Sequence, residues 1–166
     1  RPEMLEHRAL LLQLALLLGA HTTAAEFAVI FDGGSTGTRV HVYRWSIDRS
    51  GVPTVTTEPT WHKKVTPGIS SFERTPLSAG ASLLPLLALA EEVVPLSSRP
   101  NALVFLRATA GMRILSVQVQ DAIYNALYET VARRPGWRVR REDFGTLSGE
   151  QEGIFGWLAV NHMLLG

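Results

Sequence analysis

The stretch "FAVIFDGGSTGTRVHVYRW", Phe27 to Trp45, decides how the rest of the chain is read. Phe27-Ala28-Val29-Ile30-Phe31 is a continuous apolar run, as expected of a central strand covered on both faces. Val40 to Trp45 alternates and reads as its antiparallel partner. A tight hairpin would join them with two residues such as Asn-Gly. Here the turn is Asp32-Gly33-Gly34-Ser35-Thr36-Gly37-Thr38, with three glycines and three hydroxyls. Glycines let backbone N–H groups converge on an anion, and Ser35, Thr36 and Thr38 add donors. Asp32, at the strand end, suits a hydrated divalent cation or a water to be oriented. No Gly-Lys-Ser/Thr follows, so the turn is not a P-loop. Taken alone, it also fits a flexible hairpin.

Outward from this hairpin, Ser50-Gly51 marks a turn and Val52 to Thr57 reads as a third strand. Trp61 to Val65 extends that strand or pairs with it, and "TPGISSFERTP" (Thr66 to Pro76) is a loop. Leu83, Leu84, Leu87, Ala88, Glu91 and Val94 then describe a helix ending before Pro95. Ser82 is its expected N-cap, with Pro85 in the first turn, where no N–H partner is needed. Asn101 to Arg107 is a buried strand, and Val117 to Val131 a helix with Ala122, Ile123, Ala126, Leu127 and Val131 on one face. Trp137 to Arg141 reads as a short exposed strand, and a last helix runs from about Gly149 to Leu165. Three strands followed by alternating helices and strands predict an α/β fold, a mixed sheet with helices on its faces.

Composition narrows the function. The 166 residues are 46% hydrophobic, enough for one core, and the formal net charge is +1 without a run of like charges. Nothing points to nucleic acid. Cysteine is absent, which excludes disulfides, a thiolate metal site and a thiol nucleophile. Ala9 to Ala20, "ALLLQLALLLGA", is apolar but for Gln13, with Arg8 before it and small residues after it. Its length suits a signal-peptide core better than a membrane span, although a signal anchor has the same look. The expected division is residues 1–25 as signal peptide or anchor, starting at Met4, and residues 26–166 as the folded part. The secretory pathway (Golgi, cell surface or medium) is the expected destination, with membrane contact only through the N-terminal apolar segment.

Two further corners share the chemistry of the first. In "FLRATAGMRIL" (Phe105 to Leu115) a buried strand runs into Ala108-Thr109-Ala110-Gly111 and then a helix. Thr109 and the N–H groups of Ala110 and Gly111 stand where a phosphate oxygen or an attacking water could be held. Thr109 as a plain helix cap is the alternative. In "LSGEQEGIFGW" (Leu147 to Trp157), Ser148 and Gln151 fit a capping box, and Glu150 and Glu152 lie in the first turn. Acids there are also what a helix dipole favours. Trp157 reads as a core residue.

Together the three segments resemble the apyrase (nucleoside triphosphate diphosphohydrolase) family. "IFDGGSTGTRVHVY", "RATAGMRIL" and "SGEQEGIFGWLAVNHMLLG" match its first three conserved regions in order, and "KVTPGISSF" and "LLALAEEVVP" resemble its intervening sequence. The resemblance covers Phe27 to Gly166 and implies one lobe of a two-lobed, actin-like (RNase-H-like) fold with the nucleotide in the cleft between lobes. It implies that Gly34, Ser35, Thr36, Gly37 and Thr38, with Ala110 and Gly111, hold phosphate. Asp32 would order the water shell of Ca²⁺ or Mg²⁺, and Thr109 would place the attacking water. Glu152 would be the base, with Glu150 as the alternative, because Gln151 stands where the family usually has an acid. The substrate implied is a nucleoside di- or triphosphate, attacked directly by water. The family's fourth and fifth regions have no counterpart before Gly166, so the missing C-terminal lobe is an expected partner and the 166 residues alone should hydrolyse ATP poorly or not at all. A truncated, inactive nucleotide-binding lobe and an actin-like or sugar-kinase-like ATPase lobe are the alternatives.

Overall fold

The computed structural model describes residues 27–47 and 53–151, together with 153, 154 and 157. The apolar run forms β1 (Phe27–Gly33), buried along nearly its whole length. It pairs antiparallel with β2 (Thr38–Ile47), in a register that sets Asp32 opposite Arg39 and Gly33 opposite Thr38. The ten residues of β2 are long enough to share their outer edge between two short strands. β3 (Pro53–Thr56) takes one end and β4 (His62–Val65) the other. The expectation that Trp61 to Val65 would extend or pair with the third strand is thus corrected. The Thr57 hydroxyl and the Trp61 carbonyl both bond to the backbone of Val42 (2.8 and 2.9 Å), so the chain turns back onto β2 itself.

The second half completes the sheet. β5 (Leu103–Ala108) runs parallel to β1, and β6 (Phe144–Thr146) runs parallel to β5, giving the order β3-β2-β1-β5-β6 with β4 on β2. This is the mixed α/β sheet expected. The last strand, however, is not Trp137 to Arg141. Residues 137–140 form no strand because Trp137 is drawn into the core and Val139 packs against it. Pairing resumes after a single 3₁₀ turn, Arg141–Asp143. Three residues containing a glycine carry no legible strand pattern, and their register with β5 supplies what the sequence lacks.

The helices are α1 (Ala79–Ser82), α2 (Leu84–Val93), α3 (Ala110–Arg113) and α4 (Val117–Ala132). Ser82 is not an N-cap: the helix begins a turn earlier, and its hydroxyl donates to the Ala79 carbonyl at 2.7 Å. Pro85 keeps the first-turn position expected of it. α2 and α4 cover one sheet face, burying Leu86, Leu87, Ile123, Tyr124, Leu127 and Val131 against Val29, Phe31, Val40, Val42 and Leu106. Side chains alternate across a strand, so Ala28, Ile30, Tyr43 and Phe105 form a second buried cluster on the opposite face. The expected loop at Thr66 to Pro76 carries two short 3₁₀ turns, Ile69–Phe72 and Pro76–Ser78. Residues 149–151, 153, 154 and 157 are helical, as the last predicted helix requires, and Trp157 is 65% exposed rather than in the core. The leader at residues 1–25 lies outside the described residues.

Candidate functional site

Because β1, β5 and β6 are parallel, their C-terminal ends reach one edge of the sheet. The register is level there: Gly33 lies opposite Ala108, and Ala108 opposite Thr146. Backbone pairing continues past the strand ends. The N–H of Thr109 donates to the Gly33 carbonyl at 3.4 Å and that of Leu147 to the Ala108 carbonyl at 2.9 Å. The three small-residue corners therefore stand side by side. Gly111 packs so closely on the first corner that a β-carbon there would lie 3.2 Å from Ser35 Cβ and from Ser70 Oγ.

The first corner rests on a segment that the sequence presented only as a loop. A β-carbon on Gly68 would lie 2.2 Å from the Gly34 carbonyl oxygen, and one on Gly33 would lie 2.7 Å from Ile69 Cδ1. On Gly37 it would meet Lys64 Cε at 2.6 Å and the Val65 carbonyl at 2.7 Å. The glycines permit these approaches because they lack side chains. Ser35 and Thr36 are exposed on the outer side of the turn, whereas Gly37 and Thr38 are buried. Among the described residues the Thr38 hydroxyl has no hydrogen-bond partner, a condition that costs about 1–3 kcal/mol for a buried polar group.

At the second corner Thr109 occupies the N-cap of α3 without making a side-chain cap bond, so its hydroxyl is not committed to the helix. Ala110 is exposed and Gly111 half-buried. Arg113 ties this corner to the third, donating to the Leu147 carbonyl at 3.1 Å. At the third corner the predicted capping box is present in both directions. The Ser148 N–H donates to Gln151 Oε1, and the Gln151 N–H to Ser148 Oγ, each at 3.0 Å. Glu150 is exposed in this turn; Glu152 lies outside the described residues. Behind the corner, Thr146 donates to Gln120 Oε1 at 2.9 Å and shares a short hydrogen bond with the Tyr124 hydroxyl, fixing β6 to α4. Burial raises the Tyr124 pKa above its ordinary value, so the phenol stays neutral.

Asp32 faces Arg39 across the β1–β2 ladder, Arg39 Nη1 to Asp32 Oδ2 being 3.3 Å. Arg107, opposite Asp32 on β5, turns the other way and donates to the Asp143 carbonyl at 2.7 Å, which anchors the start of β6. Among the described residues no group of three or more His, Asp or Glu side chains could hold a metal ion. A lone strand-end carboxylate therefore does not fit a protein cage. It fits a cation that keeps its waters and takes its other ligands from phosphates. Sequence reasoning missed Lys64, Gly68, Ser70 and Arg113 as neighbours of the site. The only available sign was the conjunction of Pro67-Gly68 with a lysine at a strand end.

Known proteins resemble this chain over most of its length. The profile of the GDA1/CD39 (nucleoside phosphatase) family matches residues 19–166. A nucleoside-triphosphatase of Pisum sativum is 36% identical over 140 residues, covering 84% of this chain and 30% of that protein. The Golgi apyrase of Saccharomyces cerevisiae is 33% identical over 158 residues, covering 85% of this chain and 25% of its own length. A solved structure of nucleoside triphosphate hydrolases from Neospora caninum aligns with a TM-score of 0.54 at 19% identity, over 92% of this chain and 34% of that one, a likeness of fold. The chain spans a quarter to a third of the length of these proteins.

Proposed function

Since this chain belongs to the GDA1/CD39 nucleoside phosphatase family, we propose that its three corners form one wall of a site where water hydrolyses the terminal phosphate of a nucleoside di- or triphosphate. The observation that carries the reading is the level register of Gly33, Ala108 and Thr146, which brings all three corners to one edge. Backbone N–H groups of Gly34 to Gly37 and of Ala110 and Gly111 receive the phosphate oxygens, and Ser35, Thr36 and Thr38 add hydroxyl donors. Charge on those oxygens grows toward the transition state, so donors fixed in advance lower the barrier. Thr109 orients a water molecule in line with the terminal phosphorus. The carboxylate of Glu152 takes its proton as the new P–O bond forms, and the bridging P–O bond breaks to release phosphate and the shortened nucleotide. Asp32 would hold water around Ca²⁺ or Mg²⁺, and the ion would supply positive charge against the negative charge of the phosphates. No covalent phosphoenzyme is required. The opposite wall belongs to a second lobe, in keeping with relatives three to four times as long. The secretory pathway is the proposed compartment, supported by the Golgi relative and the apolar run Ala9 to Ala20.

The test is Glu152→Gln beside Glu150→Gln in the full-length protein. Glu152→Gln should lower kcat by about 10²–10⁴, the range for losing a general base, with nucleotide affinity within about threefold. Glu150→Gln should leave kcat within about threefold of wild type; the reverse pattern would move the base to Glu150. Phosphate released from a nucleoside diphosphate with no acceptor but water supports the hydrolase. Release only in the presence of a sugar would replace it with a kinase-like reading.

A further inference from the structure

Behind the corners, three side chains form a hydrogen-bond chain that can run in one direction only. Gln120 Nε2 donates to the Leu115 carbonyl at 2.9 Å. A carbonyl can only accept, so the amide nitrogen faces Leu115 and the amide oxygen faces Thr146. Gln120 Oε1 therefore accepts, and the Thr146 hydroxyl donates to it at 2.9 Å. A threonine has one hydroxyl proton. With that proton given to Gln120, the donor in the short Tyr124–Thr146 bond is the phenol. The phenol must keep its proton for this, and burial favours the neutral form. The order is Tyr124 to Thr146 to Gln120 to the Leu115 carbonyl, and each link polarises the next in the same sense.

The chain ends at a different corner from the one where Thr146 stands. Thr146 is the last residue of β6, just ahead of the capping box that opens the third corner. Leu115 lies just past α3, the helix of the second corner, and its N–H donates to the Met112 carbonyl at 3.1 Å. Gln120 and Tyr124 are one turn apart on α4 and so share a face of it. Arg141 holds the start of β6 to the same helix, donating to the Phe144 carbonyl at 2.8 Å and to Asp121 Oδ1 at 3.1 Å. We propose that Tyr124, Thr146 and Gln120 are positioning residues for hydrolysis, their one-way chain fixing the third corner against the second across α4. This rests on the nucleotide-hydrolase reading of the corners. The first corner, which carries most of the phosphate donors, is not a member of the chain. Breaking the chain therefore falls on turnover rather than on substrate binding.

The test sets Thr146→Val, which keeps the shape and removes the hydroxyl, against Thr146→Ser, which keeps the hydroxyl and removes a methyl. Both are made in the full-length protein and read as phosphate release from ATP and ADP. Thr146→Val should lower kcat about tenfold or more with KM within about threefold, since a displacement of about 1 Å in a positioned group costs on the order of 10²-fold in rate. Thr146→Ser should keep kcat within about threefold of wild type. A role in packing alone predicts the reverse order, with valine tolerated and serine not. Tyr124→Phe removes one oxygen atom and should lower kcat about threefold or more, again at constant KM; it serves alone if Thr146→Val does not fold. Added to Thr146→Val, it should lower kcat no further, because one break already ends the chain. Equal kcat in the valine and serine variants, losses carried by KM, or additive losses in the double variant overturn the positioning role while wild-type turnover leaves the hydrolase standing. Wild type that releases no phosphate overturns the hydrolase reading and the positioning role with it.

Discussion

The two ends of β5 are built from the same strand and could hardly differ more. At the C-terminal end, β1, β5 and β6 stop level with one another, and backbone bonds run on into three corners made almost wholly of small residues. At the N-terminal end, β6 is absent, since it pairs with β5 only from Leu106 to Ala108. Residues 137–140 stand off from the strand there and leave a groove of about 690 Å³, lined by Asn101 to Phe105 and by Trp137 to Arg140. This groove lies at the end of β5 away from the three corners. Charges at the groove end largely neutralise each other: Arg140 pairs with Asp143 at 3.0 Å, and Arg134 pairs with Glu91. The corner end presents backbone donors and hydroxyls, with Arg39 and Lys64 beside the glycine loop. Where the ligand is a phosphate, convergent N–H groups tell more than concavity.

Two substitutions should break this contrast in opposite ways. Trp137→Ala removes a buried ring at the groove end that also carries Arg99 over its face at 5.5 Å. It should cost about 3–5 kcal/mol in urea unfolding, the usual range for emptying an aromatic core position, yet leave the proposed hydrolysis by the full-length protein within about threefold in kcat/KM. A fall in kcat/KM as large as the stability loss would mean that the groove serves the reaction. Gly68→Ala tests the corner end. Its β-carbon would collide with the Gly34 carbonyl, and neither backbone can yield without moving the loop. A displacement of about 1 Å in a positioned group costs on the order of 10²-fold in rate, so kcat/KM should fall by about that factor. The loss of stability should stay below that of Trp137→Ala, about 1–3 kcal/mol for overpacking. Full activity in Gly68→Ala would release the Thr66–Phe72 segment from any part in holding the loop.

How much of this was legible in the sequence follows the same division. β1, β2, β5 and α4 announce themselves by apolar runs and by period, and the capping box of Ser148 and Gln151 is written in the residues themselves. The parallel register that levels the corners is not, since it depends on pairing Gly33 with the distant Ala108 and Ala108 with the distant Thr146. β6 escaped notice because Phe144-Gly145-Thr146 has no pattern of its own, while Trp137 and Val139 alternate for another reason, their packing into the core. Trp157 is exposed where the sequence suggests core, because hydrophobicity alone does not say which side of a helix meets the sheet. The support of the glycine loop by Gly68 lies in close backbone approach, and a glycine in a loop looks the same whether it touches anything or not.

The smallest expected effect belongs to the groove end and depends on pH. Glu91 accepts hydrogen bonds from Arg134 Nε at 2.7 Å and, more weakly, from Trp137 Nε1 at 3.4 Å. The Arg134 hydrogen bond, ahead of the opposing effect of burial, holds the Glu91 carboxyl below its ordinary value. A carboxylate with a lowered folded-state pKa stabilises the fold fully above its unfolded pKa, and that contribution is lost as pH falls through the folded value. The window therefore opens at about pH 5 and extends downward. Glu91→Gln should unfold at lower urea than wild type at pH 7, and the two midpoints should converge between pH 5 and pH 3. The corner end should not respond to this substitution: kcat/KM at pH 7 should match wild type. A gap in urea midpoints that stays constant down to pH 3 would show that Glu91 acts there by shape and hydrogen bonding alone. A changed kcat/KM at pH 7 would mean that the two ends of β5 are coupled through α2 and the sheet, and the contrast between them would have to be redrawn.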